Sequence, residues 1–228
     1  MSVYTRYAAA KSVSAKNDSS HHVSLFQTAN VWYNALDDSS HDTDHAVTVF
    51  ENALKIVENS CEIDVNPIAL RVATILHDVR DHKAIANGSA VCTEEAMIDL
   101  VIAKVPSHAI DVIDAINRSS WSKRANTAIW METAPAHAVA LTKVLQDADW
   151  LEAIGEIGIQ RCAEYTRNRN PDAPESEIIT GVCKHIREKL LLIGDAMNFP
   201  WVINRAKELN APLIEYLRVN AELDIWRP

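Results

Sequence analysis

Glycine is scarce in this chain of 228 residues, which contains only 5. Neither G-x-G-x-x-G nor G-x-x-x-x-G-K-[ST] occurs, so the glycine-rich loops that hold phosphate groups in dinucleotide-binding and P-loop proteins are absent. Cysteine is scarce too, with 4 residues and no C-x-x-C. The wide spacing of these cysteines indicates reduced, mostly buried thiols in an intracellular protein rather than a disulfide framework or a zinc site.

Long apolar runs and an excess of positive charge are also missing. No run approaches the roughly 18 apolar residues of a membrane-spanning helix, and the first residues lack the apolar stretch of a secretory signal. Acidic residues outnumber basic ones 31 to 22, giving a net charge of −9. That balance argues against extended nucleic-acid binding and against anionic membranes. We therefore predict a cytoplasmic protein whose partners are small molecules.

Apolar residues follow a helical spacing from Val23 onward. Ser39 and Ser40 predict the cap of a helix, and Asn66 followed by Pro67 predicts the start of the next one. The residues after Pro67 are apolar on more than one face, which is typical of a central helix. Further helices are predicted from Thr93, from Pro106 and over about 136–164, 175–194 and 200–222.

This pattern predicts an all-α helical bundle in one domain over residues 23–228. Residues 1–22 are small and polar and predict a flexible or loosely packed arm, whose role in targeting stays open. The segment 168–174 is the best candidate linker, but it is short and apolar helices follow it. Gly155 and Gly158 lie within a helical pattern, which indicates close helix packing at these positions.

Acidic and imidazole side chains fall within or beside apolar helix patterns at three places, where a charge must be paired or bound to a metal. These places are 41–45, 75–83 and 145–151. Neutral imidazoles together with carboxylates suit a divalent first-row metal that keeps open coordination positions. His77 and Asp78 point about 100° apart on a helix, so both can reach an ion at the end of that helix.

The ordered set resembles the HD-domain superfamily of metal-dependent phosphohydrolases over roughly residues 37–165. It is similar to the small single-domain members whose pattern begins H-D-x-x-H, continues L-L-H-D-x-x-D and ends D-A-D-x-L-D-A-I-G-A-I-G-I-A-R. The corresponding segments are HDTDH from His41, ILHDVRD from Ile75 and DADWLEAIGEIGIQR from Asp147. The segment 119–123 is also similar to the serine-aromatic-serine loop of the family. The resemblance implies an HD-type helical domain with a motif core at about 37–165 and C-terminal helices at 175–222.

The resemblance also implies a set of metal ligands. Those ligands are His45, His77, Asp78 and Asp149. They imply one divalent ion, for which Mn²⁺ is favoured while Mg²⁺, Co²⁺, Ni²⁺, Fe²⁺ and Zn²⁺ stay open. Asp149 is preferred to Asp147 because it stands two residues before Leu151. His41 is either a supporting partner of the ligands or a surface histidine.

The activity implied is hydrolysis of a nucleotide phosphate bond, above all in a nucleoside triphosphate, by a metal-activated water. Asp81, one turn after Asp78, is a catalytic candidate that could take a proton or orient the water, and Lys83 is the second catalytic candidate. Side chains that could bind the phosphorylated substrate are Arg80, His82, Lys123, Arg124, Asp147 and Arg161. A homodimer is left open.

The sequence departs from the family pattern at three positions. Thr48 stands where the family often has an arginine, Trp150 stands at another frequent arginine position, and Glu152 replaces an aspartate. The loss of two cations keeps open a non-catalytic helical module that senses nucleotides. A di-iron oxygenase with the same frame is a further alternative, but it needs extra histidines, for which only His108 and His137 are available.

Overall fold

The fold comes from a computed structural model that describes residues 19–36, 42–60, 62–80, 85, 88 and 91–220, with side chains from Leu25 onward. These residues form helices, turns and loops and contain no strand, so the predicted all-α class is confirmed. Within the same residues, no helix combines the length and apolar character needed to cross a membrane. Residues 1–18 of the predicted arm lie outside the described residues.

The chain divides into two compact units, Met1–Ala148 and Asp149–Pro228. The helices that begin in the first unit are α1 (Ser19–Asn34), α2 (Thr43–Glu58), α3 (Pro67–Leu76), α4 (Glu94–Lys104), α5 (Ala109–Arg118), α6 (Arg124–Met131) and α7 (Ala136–Ala153). The boundary between the units falls inside α7, which continues through it without a break. A single domain over 23–228 stays a prediction.

Helix α3 is the centre of the first unit, as its apolar pattern predicts. Every residue from Ala69 to Leu76 is buried, and α3 packs against α2 and α5. Asn66 caps α3 as predicted, because its side chain accepts hydrogen bonds from the backbone N–H groups of Ile68 and Ala69. The hydroxyl of Tyr33 on α1 donates to the buried carbonyl oxygen of Ile75 at 3.1 Å, which ties α1 to the end of α3.

Two helix starts in the first unit differ in detail from their predictions. The cap of α2 is Asp42 rather than Ser39 or Ser40, which lie outside the described residues, and the Asp42 side chain accepts from His45 N–H at 2.8 Å. Pro106 opens a single 3₁₀ turn, Pro106–His108, and the α-helix starts only at Ala109. Thr93 caps α4 as predicted, with two glutamates in the first turn.

The second unit consists of the end of α7, α8 (Gly155–Arg169), α9 (Glu175–His185), a π-helical segment (Ile186–Leu190), α10 (Leu191–Asp195) and α11 (Pro200–Val219). Helix α8 packs against α9 and α11. The single helix predicted over about 136–164 is wrong, because α7 ends at Ala153 and Gly155 adopts a φ of +81°. Only glycine takes this left-handed conformation without strain, so Gly155 separates α7 from α8.

Candidate metal centre

Three side chains of the first unit converge where α3 ends and α2 begins. His77 Nε2 lies 3.3 Å from His45 Nε2 and 3.2 Å from Asp78 Oδ2. His45 Nε2 lies 3.5 Å from the same carboxylate oxygen. One atom from each of the three side chains therefore lies within 3.5 Å of the other two, although His45 and His77 are 32 positions apart in the chain.

Local hydrogen bonds place the two imidazoles. Asp42 caps α2 and accepts from His45 N–H, so the backbone that carries His45 is fixed in the first helical turn. His77 follows α3 directly, and its Nδ1 lies 2.9 Å from the carbonyl oxygen of Thr74. A carbonyl oxygen can only accept, so Nδ1 carries the proton and Nε2 presents a lone pair towards His45 and Asp78.

Asp149 on α7 supplies a fourth ligand atom. One ligand atom from each of His45, His77, Asp78 and Asp149 lies within 4.8 Å of the other three. Asp149 is the residue next to Ala148 on the same continuous helix, so α7 itself determines its place. These four residues are the ligand set that the resemblance implies.

The distances among His45, His77 and Asp78 match those around one ion. Atoms bound about 2.0–2.2 Å from a common metal lie about 2.8–3.6 Å apart in tetrahedral or octahedral geometry. The three measured separations of 3.2, 3.3 and 3.5 Å all fall in that range. The His45 and His77 ring centroids are 5.1 Å apart with the rings tilted by 58°, so the nitrogens approach each other without ring stacking.

The environment of the cluster also suits a cation. Both imidazoles are buried, whereas the Asp78 side chain keeps 21% of its surface exposed, so the cluster opens towards solvent on the carboxylate side. Two neutral nitrogens and two carboxylates carry a net charge of −2, which a divalent ion neutralises. The donor set fits a first-row divalent metal and excludes none of the ions left open by the sequence.

Comparison with known proteins shows that the fold is shared. No family model matches the chain. A solved HD-superfamily hydrolase from Bacillus thuringiensis matches 88% of this chain and 97% of its own length with a TM-score of 0.58 and 21% identity. Bacillus subtilis YpgQ, solved in complex with ADP, matches 89% of this chain and 96% of its own with a TM-score of 0.62 and 21% identity. The chain has the HD-domain fold.

Two further relatives carry no named activity. A solved protein from Lactobacillus plantarum has a TM-score of 0.66 and 23% identity, covering 90% of this chain and 98% of its own. An uncharacterized protein of Acanthamoeba polyphaga mimivirus, L803, is 24% identical over an aligned length of 223, which covers 78% of this chain and 87% of the relative. The shared fold therefore spans nearly the full length of the solved Lactobacillus plantarum protein at low sequence identity.

Several predicted site residues of this HD-domain chain lie outside the described residues. They are His41, Asp81, His82 and Lys83. Their predicted roles follow only from their place in the motifs. Asp147 is described and is fully buried. Because residues two positions apart on a helix point about 200° apart, Asp147 and Asp149 occupy different faces of α7.

Three of the predicted phosphate-binding cations already have partners in this structure. Arg80 NH2 lies 3.7 Å from Glu94 Oε2, and Arg161 NH2 lies 3.1 Å from Glu152 Oε1. Lys123 Nζ donates to the carbonyl oxygen of Asn117 at 2.8 Å. Glu152, one of the departures from the family pattern, therefore holds Arg161 within the second unit.

The structure also describes the other two departures from the family pattern, Thr48 and Trp150. The hydroxyl of Thr48 donates to the carbonyl oxygen of Asp44 at 3.0 Å, and Trp150 is buried with 4% of its surface exposed. Neither residue offers a positive charge. A phosphate contact at these two places would have to come from other side chains.

His108 and His137 form a different cluster in the first unit. His108 Nδ1 lies 3.2 Å from Asp111 Oδ2, and His137 Nε2 lies 3.3 Å from Asp111 Oδ1. Their ring centroids are 6.5 Å apart, wider than those of His45 and His77. Neither histidine is among the residues that meet at the metal centre. The extra imidazoles that a di-iron oxygenase needs are therefore engaged with Asp111.

The sequence interpretation missed three groups that build the centre. The Thr74 carbonyl orients His77, but backbone carbonyls leave no trace in a sequence. Asp42 stands inside the first motif, and its position three residues before His45 is the spacing of a helix cap, which could have identified it. Gln146 Nε2 donates to the carbonyl oxygen of Arg118 at 3.1 Å and so joins α7 to the end of α5.

Proposed function

We propose that this chain is a metal-dependent phosphohydrolase that acts on nucleotides, with nucleoside triphosphates as its principal substrates. The observation that carries the proposal is the cluster of His45, His77, Asp78 and Asp149 in an HD-domain fold. A nucleotide is supported as the ligand because YpgQ, which has the same fold, was solved with ADP.

In this proposal the four clustered residues would hold one divalent cation, with Mn²⁺ favoured. A bound divalent ion lowers the pKa of a coordinated water and withdraws charge from a phosphoryl oxygen. His77 keeps its Nε2 lone pair on the centre because Nδ1 is committed to the Thr74 carbonyl. The exposed side of Asp78 leaves the cluster open where a phosphate would enter.

The remaining residues are assigned by their place in the motifs. We propose that Asp81 accepts a proton or orients the water and that Lys83 neutralises developing charge. Arg80, Lys123, Arg124 and Arg161 are the cations of the substrate site, with His82 and Asp147 as further contacts and His41 as a supporting group. To bind the substrate, Arg80 and Arg161 must each break the ion pair with a glutamate and form one with a phosphate instead.

The test is a hydrolysis assay on protein first stripped of metal with a chelator. Nucleoside mono-, di- and triphosphates and simple phosphate esters are each offered with Mn²⁺, Mg²⁺, Co²⁺ or Ni²⁺. We expect turnover of triphosphates that requires added metal and falls at least 100-fold in His77→Ala and Asp78→Ala. Full activity of the stripped protein without metal would contradict the proposal.

His137→Ala is the matched control, because it removes an imidazole of the same unit from the separate Asp111 cluster. It should leave activity within about twofold of wild type. His77→Gln and circular dichroism of every variant distinguish loss of a ligand from loss of the fold.

A second candidate, a nucleotide-sensing module without catalysis, is favoured by Thr48 and Trp150 at positions where arginine is frequent in the family. It predicts metal and nucleotide binding with no turnover on any substrate of the panel. An equilibrium titration of ADP beside the hydrolysis assay separates the two candidates.

A further inference from the structure

The segment from Arg118 to Met131 is basic, although the chain as a whole is acidic. It contains three basic residues, two tryptophans and no acidic residue, in a chain whose net charge is −9. It comprises the end of α5, the 3₁₀ turn Trp121–Lys123 and α6. A basic and aromatic segment of this kind is the composition that binds a ligand with both a flat ring and negative charge.

Each arginine of the segment lies over an indole ring, but the two pairs differ. The Arg118 guanidinium lies 4.5 Å from the Trp130 ring centroid and also forms an ion pair with Asp114 at 3.2 Å. The Arg124 guanidinium lies 4.0 Å from the Trp121 ring centroid, and in the part of the chain that the structure describes it pairs with no carboxylate. Arg124 therefore keeps its charge for a ligand.

Arg124 is exposed yet held in place. Its NH1 donates to the carbonyl oxygen of Trp121 at 3.2 Å, while its guanidinium covers the indole. An exposed arginine normally loses conformational entropy when it binds a ligand, and this contact and hydrogen bond have already removed much of that freedom. The Trp121–Arg124 pair presents a preorganised flat cation to solvent.

Hydrogen bonds connect this segment to the helix that carries Asp149. The carbonyl oxygen of Arg118 accepts from Gln146 Nε2 and from Thr127 Oγ1, each at 3.1 Å. Gln146 precedes Asp149 by one turn of α7, a rise of about 4.5 Å. Trp121 follows Arg118 by three residues, so its backbone lies within about 10 Å of that carbonyl. The segment that carries the pair is therefore hydrogen-bonded directly to the helix that carries Asp149.

We infer that Trp121 and Arg124 form the platform on which the nucleobase of the substrate stacks, so that this pair distinguishes a nucleotide from other polyphosphates. The inference rests on the proposed function and deepens it, because it assigns recognition of the base to named residues. Arg124 lies between the indole and the base, an arrangement in which guanidinium planes and aromatic rings both stack.

The test compares two ligands that share a diphosphate and differ in the base. ADP and inorganic pyrophosphate are titrated into the full chain with Mn²⁺, and the dissociation constants are measured by calorimetry. Wild type should bind ADP at least tenfold more tightly than pyrophosphate. Trp121→Ala should weaken ADP binding about five- to tenfold or more and leave pyrophosphate binding within twofold, and Arg124→Gln should weaken ADP binding by a similar factor. Trp121→Phe keeps a ring and should recover most of the affinity for ADP.

Trp130→Ala is the matched control, because it removes an indole of the same segment whose arginine is already paired with Asp114. It should preserve the preference for ADP. Equal affinity of wild type for the two ligands, or equal loss of both in Trp121→Ala, would overturn the inference. The proposed function fails separately, when nucleotides bind but are not hydrolysed under any metal.

Discussion

His77 carries the most defined geometry of the candidate centre. Its Nδ1–H group donates to the Thr74 carbonyl three residues earlier, so the ring cannot rotate without breaking a buried hydrogen bond. His45 depends instead on the first turn of α2, which Asp42 caps. At this scale the site is built by short-range hydrogen bonds that orient two imidazoles from different helices.

Removing the cap should weaken the centre as well as the helix. Asp42→Ala should lower the free energy of unfolding by about 1 kcal/mol, because an orphan N–H at the start of α2 loses its acceptor. It should also weaken Co²⁺ binding, measured by visible absorption, because the backbone at His45 becomes free to move.

Asp42→Asn keeps an acceptor and should behave nearly as wild type. Thr93→Ala removes the equivalent cap of α4 and provides the matched control. It should cost similar stability without changing Co²⁺ affinity. Equal Co²⁺ binding by Asp42→Ala and wild type would show that the cap does not position His45.

The thiol of Cys92 should be unreactive at neutral pH. Burial raises its pKa to about 11, while the nearby Arg80 guanidinium opposes that increase. Only the thiolate reacts with iodoacetamide, so alkylation of Cys92 should be slow at pH 7.5 and accelerate as the pH approaches 11. Arg80→Gln removes the opposing charge, raises the pKa further and should slow the reaction at every pH below it. Mass spectrometry of the peptide measures the rate, and rapid labelling at pH 7 would contradict this assignment.

The sequence was sufficient to identify the four clustered residues. It was insufficient to predict the hydrogen bonds that orient their side chains. His45, His77, Asp78 and Asp149 stand in motifs whose order is distinctive, so they could be named before any coordinates. The 2.9 Å hydrogen bond from His77 to the Thr74 carbonyl could not be predicted, because every residue has a carbonyl group and its direction depends on the folded helix.

Among the helices, the sequence predicts interiors better than ends. The buried face of α3 and the caps Asn66 and Thr93 follow from apolar spacing and cap chemistry. The break between α7 and α8 cannot be predicted in this way, because a glycine inside a helix and a glycine at positive φ look the same in an apolar pattern. The π-helical segment Ile186–Leu190 likewise has no distinctive local composition.

Alanine substitutions should distinguish a glycine that the backbone or the packing requires from a glycine that merely lies within a helix. Gly155→Ala forces a side chain into φ +81° and close to Leu209, and Gly158→Ala brings a Cβ into steric overlap with the carbonyl oxygen of Ala153. Both should destabilise the protein, by about 1 kcal/mol or more for Gly155→Ala and by a larger amount for Gly158→Ala.

Gly181→Ala is the control for these two substitutions. Gly181 lies within α9, and its added Cβ would meet only Thr166 at an ordinary 3.5 Å. This substitution should raise the free energy of unfolding of the protein by about 0.5–1 kcal/mol, because alanine is the better helix former. Urea unfolding curves give the three values, and destabilisation by Gly181→Ala comparable to the others would contradict the packing described here.

For the whole molecule, the HD-domain fold brings together four side chains, between residues 45 and 149, that could hold a metal ion. Cytoplasmic location and a homodimer stay predictions, the second open to size-exclusion chromatography with light scattering. The overall class was predictable because helical spacing runs through most of the chain, whereas the division into two compact units was not, since α7 continues across it.

A bound cation should stabilise the whole fold. A ligand that binds only the native state adds about 2.7 kcal/mol at a concentration 100 times its dissociation constant, so Mn²⁺ should raise the Tm by several degrees. The increase should vanish in His77→Ala and persist in His137→Ala, as measured by differential scanning calorimetry. An equal increase in His77→Ala would place the ion elsewhere.

The span of the four clustered residues has a consequence for synthesis on the ribosome. His45, His77 and Asp78 emerge early, but Asp149 is translated about 70 residues after Asp78. If the proposed site holds an ion, a nascent chain cannot bind it at full affinity until α7 has left the exit tunnel, and tight metal uptake is then a late event in biogenesis.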